Sequence, residues 1–306
     1  MVHDHDDAPD PDWQEKAKKA GAIAGKARAH GATLLREGAR LLDVAEEIEA
    51  FIRKEGAQPA FPVNLSINHD AAHDSPRPKD PRTFAPGDLV KLDVGAHVDG
   101  YIGDTAVTVE IGTQRHARLI EASREAMLAA VRVAKAGTKL SEIGATIESE
   151  IRSRGFEPIV NLTGHSIEVY HLHAGVSVPN VARGHGVLHE GMVIAIEPFA
   201  TTGVGRIKEA EDGNIYHFLA NKPQRNPQAK KLLAYIAERH PHLPFAARWV
   251  AGAVEERWFD YALRLLLQSG AISSYGVLRE AGNGMVSQAE HTVLVGRDGA
   301  TITTVP

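Results

Sequence analysis

The sequence predicts an α+β fold of two related halves, with a helical block set into the second half. Three features carry this reading. Residues 89–112, "LVKLDVGAHVDGYIGDTAVTVEIG", are two β-forming runs around Asp99-Gly100, a two-residue hairpin signal. The segments "APGDLVKLDVG" (85–95) and "HEGMVIAIEPF" (189–199) echo each other: a glycine, an apolar strand, then an acid six residues after the glycine. Between about 216 and 281 the segments "NPQAKKLLAYIAERHPHLPFAARWV" and "VEERWFDYALRLLLQSG" have helical periodicity, and strand patterning returns after them.

The elements follow in order. Residues 1–12 are acidic and contain Pro, with no apolar core of a signal peptide, so a solvated disordered tail is expected; His3 and His5 could bind metal there only weakly. Residues 13–55 read as helix ending at Gly56. Within it, Gly21 to Lys26 has nearly the spacing of a phosphate loop, but is one residue short, lacks a Ser/Thr after the Lys and follows no strand. After the hairpin come helices at about 115–136 and 141–154, then short strands over 159–215. The C-terminal stretch "NGMVSQAEHTVLVGRDGATITTVP" reads as strand, with a hairpin at Asp298-Gly299. The expected organisation is one unit over 13–215 and 282–306, interrupted by a helical insertion at 216–281.

Composition narrows the function classes. A chain of 306 residues with 43% apolar side chains can bury a sizeable core. The net charge of −5, with acids and bases interspersed, argues against a nucleic-acid stripe or attraction to a membrane surface. With no cysteine there are no disulfides, thiolate metal sites or cysteine nucleophiles, which fits a reducing cytoplasm. No run of about 18 apolar residues suggests a membrane span.

The chemistry gathers in acids embedded in strand patterns and in the stretch "GHSIEVYHLHAG", which holds His165, His171 and His173. A two-residue turn at Asp99-Gly100 pairs Gly95 with Asp104. Asp93 then shares a face with Asp104, their Cβ atoms about 7–8 Å apart, close enough to reach a common ion. Glu197 in "MVIAIEPF" and Glu290 in "VSQAEHTVLV" are further acids in strand runs. Such carboxylates with a neutral imidazole form a hard, oxygen-rich set suited to two divalent ions, among Mn, Fe, Co or Zn, about 3.5–4 Å apart. A water shared by such ions becomes hydroxide near neutral pH, chemistry that hydrolyses amides and esters. On a straight strand His165 and His173 would be about 26 Å apart, so the chain must bend between them for both to serve one site. His73 is loop-borne, and loops often carry function. His30, His116, His240 and His242 read as solvated helix or loop residues. Neither a His-Glu-x-x-His, a Gly-x-Ser-x-Gly nor a dinucleotide fingerprint is present.

Four stretches together, "KLDVGAHVDGYIGDTAVTV", "NLTGHSIEVYHLHAG", "IAIEPFATTGVG" and "QAEHTVLV", resemble the type 2 methionine aminopeptidases in their short archaeal form, from about Trp13 to the C-terminus and in family order. The resemblance implies the pita-bread (creatinase/aminopeptidase) fold, with pseudo-two-fold halves around a dinuclear metal centre. It implies Asp93, Asp104, His165, Glu197 and Glu290 as ligands, with Asp104 and Glu290 bridging. His73 and His173 match the two substrate-contacting histidines, and Glu197 is the candidate proton shuttle. Phe61, Leu172 and Tyr275 fall where the family builds its methionine pocket, and the block around "LPFAARWV" matches the type 2 insertion. His171 stands where the family often has a basic residue on the pocket rim, outside the chemistry.

The activity so implied is removal of the initiator methionine from nascent chains with a small second residue, by a metal-bridging hydroxide. The expected enzyme is cytoplasmic and monomeric, with transient ribosome association open and no nucleic-acid or membrane partner. Two alternatives share the fold: a prolidase or aminopeptidase P-like hydrolase, and a binding protein that has lost catalysis. The chain departs from the family in two ways. Ala289 replaces the usual Phe of Gln-Phe-Glu-His, and the charged N-terminal extension of eukaryotic members is missing.

Overall fold

The computed structural model describes residues 11–306. Nearly all of the expected N-terminal tail, His3 and His5 included, lies outside the described residues. The first half runs α1 (Trp13–Leu34), α2 (Leu41–Lys54), β1 (Gln58–Pro59), β2 (Asn64–Ile67), β3 (Asp70–Ala72), β4 (Leu89–Val98) and β5 (Tyr101–Glu110). The second half begins with α3 (Ala117–Val133) and α4 (Leu140–Ser153), then β6 (Glu157–Pro158), β7 (Thr163–Ile167), β8 (Ser177–Pro179), β9 (Val193–Ile196) and β10 (Phe199–Thr201). A long β11 (Ile207–Phe218) leads into α5 (Pro227–Arg239), β12 (Phe245–Ala246), α6 (Ala247–Val250) and α7 (Glu256–Ser269), and β13 (Ile272–Glu280) leads back. The chain closes with β14 (Val286–Gln288), β15 (His291–Val295) and β16 (Ala300–Ile302).

Each half lays a helix pair on a sheet. Leu41, Ile48 and Ile52 of α2 and Ile23 and Ala27 of α1 bury against Val90, Leu92 and Val94 of β4. Ala126, Ile143, Ile147 and Ile151 of α3 and α4 bury against Ile194, Ile196 and Val293 of β9 and β15. Apolar side chains recurring at helical spacing face alternate residues of a strand, and removal of this surface from water drives both pairings.

The echo between the halves extends to their hydrogen bonds. Gly87 and Gly191 both have φ of 88°. The Gly87 N–H donates to Ile111 O at 2.7 Å, and the Gly191 N–H to Val295 O at 2.8 Å. The N–H groups of Ile111 and Val295 return to Asp88 O and Met192 O, both at 2.8 Å. Before the strands, Leu41 N donates to Arg82 O and Leu140 N to Gly186 O, each at 3.1 Å. The same helix pair, turn and strand are therefore built twice. The halves join where β5 meets the chain ahead of β15: Glu290 N donates to Ala106 O at 3.1 Å, and Asp104 N to Thr292 Oγ1 at 2.8 Å.

The expectations differ from the structure at three places. The helix expected over 13–55 is two helices, because Gly38 turns left-handed with φ of 76° and donates its N–H to Phe84 O. The glycine spacing around Gly21 does lie in helix, and its use is packing. A Cβ at Gly21 would stand 2.5 Å from Thr303 O, and one at Gly103 would stand 2.5 Å from the Gly21 Cα, so α1 lies directly on β5 and the C-terminus. Within the block expected to be helical, residues 272–280 are β13, paired antiparallel to β11 from Ile207↔Glu280 to Phe218↔Ile272. Its Ser, Gly and Arg side chains hide the alternation, and the pairing with β11 supplies what the pattern lacks. The helices between these strands have a hydrophobic cluster of their own, with Leu232, Phe245, Phe259 and Leu266 fully or almost fully buried.

Candidate metal centre

The β4–β5 hairpin forms in the expected register, with Val98↔Tyr101, Gly95↔Asp104 and Asp93↔Ala106. Both turn residues have positive φ, 50° at Asp99 and 86° at Gly100, as a right-twisted two-residue turn requires. Asp93 and Asp104 thus face the same side. The two glutamates arrive differently from the strand positions expected for them. Glu197 stands in the gap between β9 and β10, and Glu290 in the gap between β14 and β15. Because β9 pairs with β15 and β10 with β14, the two gaps lie opposite each other, and Ala289 N donates to Pro198 O across them. Freed from strand alternation, both glutamates turn toward the hairpin acids.

His165 on β7 completes the group. Its Nε2 lies 3.5 Å from Asp104 Oδ2 and 3.8 Å from Glu197 Oε1. Ligating atoms of Asp104, His165 and Glu290 all lie within 4.8 Å of one another, and all three residues are buried. Burial first, then repulsion from neighbouring carboxylates, pushes Asp93, Glu197 and Glu290 well above the usual carboxylate range. Burial also raises Asp104, to about 7, and holds His165 down at about 4 and so neutral. Asp93 Oδ1 and Asp104 Oδ1 are buried without a hydrogen-bond partner. Buried carboxylate oxygens crowded together, unpartnered and beside a neutral imidazole, fit divalent cations as their missing counter-charge.

All ten residues named from the sequence line one cavity of about 60 Å³: the four acids and His165 above, with Phe61, His73, Leu172, His173 and Tyr275. The bend required between His165 and His173 is a tight turn in which Glu168 and His171 exchange backbone hydrogen bonds, with Tyr170 at φ of 55°. It folds the chain back so that the His165 and His173 rings are 4.4 Å apart. His171 is exposed on the turn and does not line the cavity. His73 follows β3 with φ of 67°, and its ring meets Tyr275 edge-on at 5.4 Å. Tyr275 belongs to β13, so the inserted segment supplies part of the cavity wall. Burial lowers His73 to about 4. His173, exposed at the mouth, is also lowered, by partial loss of solvent and by His165 nearby. Both rings are neutral, so each can donate from one nitrogen and accept at the other. Ala289 packs into the core cluster behind β9 and β15, away from the cavity, so the missing aromatic is a change of core volume.

Several residues of the site escaped the sequence reading. Gln288 Nε2 reaches Glu197 Oε2 at 3.3 Å and Glu290 Oε2 at 3.4 Å and so links the two glutamates. Arg28 on α1 bonds Thr105 Oγ1 and approaches the Glu290 carbonyl at 3.4 Å and His291 Nδ1 at 3.3 Å, placing a cation directly behind the acids. Asn64, opposite Asp93 in the β2–β4 register, lines the cavity, as does Pro244 of the inserted segment. Gln288 lies inside a recognised motif and could have been found there; Arg28 looks like any cation on a helix. His240, expected to be solvated, stacks on Phe245 at 5.4 Å and is half-buried.

Residues 15–296 match the model of metallopeptidase family M24. The chain belongs to metallopeptidase family M24. Among curated proteins, this M24 chain is 50% identical to the methionine aminopeptidase of Pyrococcus abyssi, over 95% of its own length and 99% of that protein. Among solved structures it resembles the methionine aminopeptidase of Thermotoga maritima, with a TM-score of 0.71 at 23% identity, covering 97% of this chain and 98% of that one. A thermophilic Arx1 has a TM-score of 0.83 at 18% identity, covering 98% and 92%. At these identities the two structures speak for the shared fold alone. The M24 chain thus has the pita-bread architecture expected of it, with its buried acids at the seam between the halves.

Proposed function

We propose that this M24 chain is a metal-dependent methionine aminopeptidase, which removes the initiator methionine from nascent chains whose second residue is small. The observation that carries the reading is the convergence of Asp93, Asp104, His165, Glu197 and Glu290, buried and short of counter-charge, in one cavity with His73 and His173. The near half-identity to curated methionine aminopeptidases over almost the whole chain supports the substrate. The small cavity, walled on one side by Phe61, Leu172 and Tyr275, suits a single unbranched apolar side chain better than an extended segment.

We assign Asp93, Asp104, His165, Glu197 and Glu290 as the residues that would hold two divalent ions. Such ions would supply Lewis acidity and a local positive field. The protein's own groups do the rest. Phe61, Leu172 and Tyr275 seat the methionine side chain, and the confined volume excludes bulk water. His73 and His173, held neutral, hydrogen-bond the peptide on either side of the scissile bond and stabilise charge as it develops on the carbonyl oxygen. Glu197, held by Gln288, carries a proton to the leaving amine. We read residues 216–281 as the type 2 insertion and place the enzyme in the cytoplasm as a monomer. The deciding assay is cleavage of Met-Ala-Ser across several divalent ions. Activity should vanish on chelation and in His165→Ala, with loss of bound metal. A His165→Ala protein that keeps both its activity and its metal would refute the assignment, and preference for Xaa-Pro peptides would move it to the prolidase reading.

A further inference from the structure

A second cavity of about 510 Å³ adjoins the metal centre, and Pro244 lines both. Its volume is that of sites that take drug-sized ligands. It opens between the ends of α2 and α5, the β1–β4 pair and the 168–171 turn, and its contents are unlike the first cavity's. Arg53 and Arg239 both line it, and no carboxylate does, in a chain with net charge of −5. Neither guanidinium has an ion pair or a side-chain hydrogen bond among the described residues. Glu49, one turn before Arg53, is committed to Arg248 and to the Trp249 indole N–H at 2.7 Å.

The walls are aromatic. Trp249 lies beneath the Arg53 guanidinium at 6.0 Å, and the Tyr170 ring packs against His97 at 5.6 Å and His242 at 5.5 Å. A cation in the last turn of a helix is ordinary, and both arginines stand there. Helix ends do not account for two such cations lining one carboxylate-free cavity with an indole and a phenol in its wall, Arg53 over Trp249 and Arg239 over Tyr235 at 5.4 Å. Guanidinium pairs take planar or tetrahedral anions in bidentate fashion, and aromatic faces take flat rings.

We propose that this cavity is a second binding site, for a small organic anion with a flat aromatic body of the nucleoside monophosphate kind, its anion held by Arg53 and Arg239 and its ring against Trp249 and Tyr170. The two cavities meet at Leu243-Pro244, and Leu243 packs in one cluster with Phe61 and Leu172. An occupant therefore bears on the wall of the methionine pocket and alters substrate affinity; this second part rests on the function proposed above, whereas binding does not.

The test is calorimetry on the metal-loaded protein with AMP, adenosine and inorganic phosphate, for the wild type and for Arg53→Gln/Arg239→Gln. Both arginines are exposed, and an unchanged melting midpoint verifies that the variant folds. AMP should bind, adenosine and phosphate each about tenfold or more weaker, and the double variant should lose about tenfold or more. Saturating AMP should then shift KM for Met-Ala-Ser in the wild type and not in the variant. No detectable AMP binding at millimolar concentration overturns the proposal. So does AMP binding that survives the double substitution, which would place it at the metal centre, and so does phosphate binding as tightly as AMP. A KM for Met-Ala-Ser-Asp-Glu that falls below that for Met-Ala-Ser-Ala-Ala through the arginines, without AMP binding, would make the cavity an extension of the peptide groove. Arginine-dependent AMP binding in a protein that cleaves no methionyl peptide would leave the site standing and remove only the coupling and the proposed function.

Discussion

Asp104→Asn should reverse its effect on stability depending on whether metal is present. Ligating oxygens of Asp104 and Glu290 lie within 4.8 Å. Two ionised carboxylates at that separation repel by about 3.5 kcal/mol at an effective dielectric constant of 20. Chelated protein therefore relieves strain by staying protonated: burial raises Asp104 to about 7, and its neighbours higher than usual. Between about pH 4 and pH 7 Asp104 then binds more protons in the folded state than in the unfolded chain, so its contribution to stability falls as pH rises through this window, while the buried histidines, held near 4, act in the opposite direction in wild type and variant alike. At pH 8 the repulsion is largest, and an Asn at 104 removes it. For a chain of 306 residues, unfolding entropy of about 2.1 cal/mol/K per residue converts 3.5 kcal/mol to about 5 °C. Thermal melts by circular dichroism in EDTA should thus show Asp104→Asn gaining on the wild type from pH 5 to 8 and melting about 5 °C higher at pH 8. With Mn(II) at about one thousand times Kd the order should invert, because the wild type then gains about 4.1 kcal/mol of binding free energy, more than the repulsion it carries. Wild type melting above the variant in EDTA at pH 8, or a gap between them that does not widen from pH 5 to 8, would refute the reading of these acids as a frustrated cation site.

Three further outcomes are expected. Gln288→Ala removes the amide between Glu197 and Glu290 and should weaken metal binding about 10–100-fold, measured by competition with a chromogenic chelator, with the metal-free melting point little changed. Glu49→Gln leaves Arg248 buried without its counter-charge and should cost about 3–5 kcal/mol in urea unfolding, whereas Glu49→Leu with Arg248→Met should recover most of it. Gly21→Ala drives a methyl into the Thr303 carbonyl, so a loss of about 1–3 kcal/mol with unchanged metal affinity is expected; a neutral result would show that α1 can move away from the C-terminal segment.

The legible parts of the centre were those set by neighbours in the chain. Asp99-Gly100 accepts positive φ at both positions and thereby sets the register that puts Asp93 and Asp104 on one face. The repeated glycine, strand and acid at 87–93 and 191–197 pointed to two halves, which the matched hydrogen bonds of Gly87 and Gly191 bear out. Identification of the particular ligands and pocket residues leaned on resemblance, since spacing alone left every strand acid free to face water. Helix α1 was over-extended past Gly38, and β13 was missed, because Ser273, Ser274 and Gly276 have little strand signal until β11 lies beside them.

The sequence by itself thus determined the local geometry: the hairpin, the helix pairs and the chemical character of a hard-ligand set. Tertiary structure decided where those groups meet. Glu197 and Glu290 leave their strands at facing gaps only because β9 pairs with β15 and β10 with β14. His173 returns to His165 only through the turn at 168–171, and Arg28 reaches the Glu290 carbonyl from 262 positions away. No local propensity encodes such meetings. Like charges repel, and no preference of any single residue favours gathering four carboxylates in one buried cavity. They are held together because two separately buried cores and the backbone hydrogen bonds of the β5–β15 seam outweigh that repulsion, which leaves a site in want of cations.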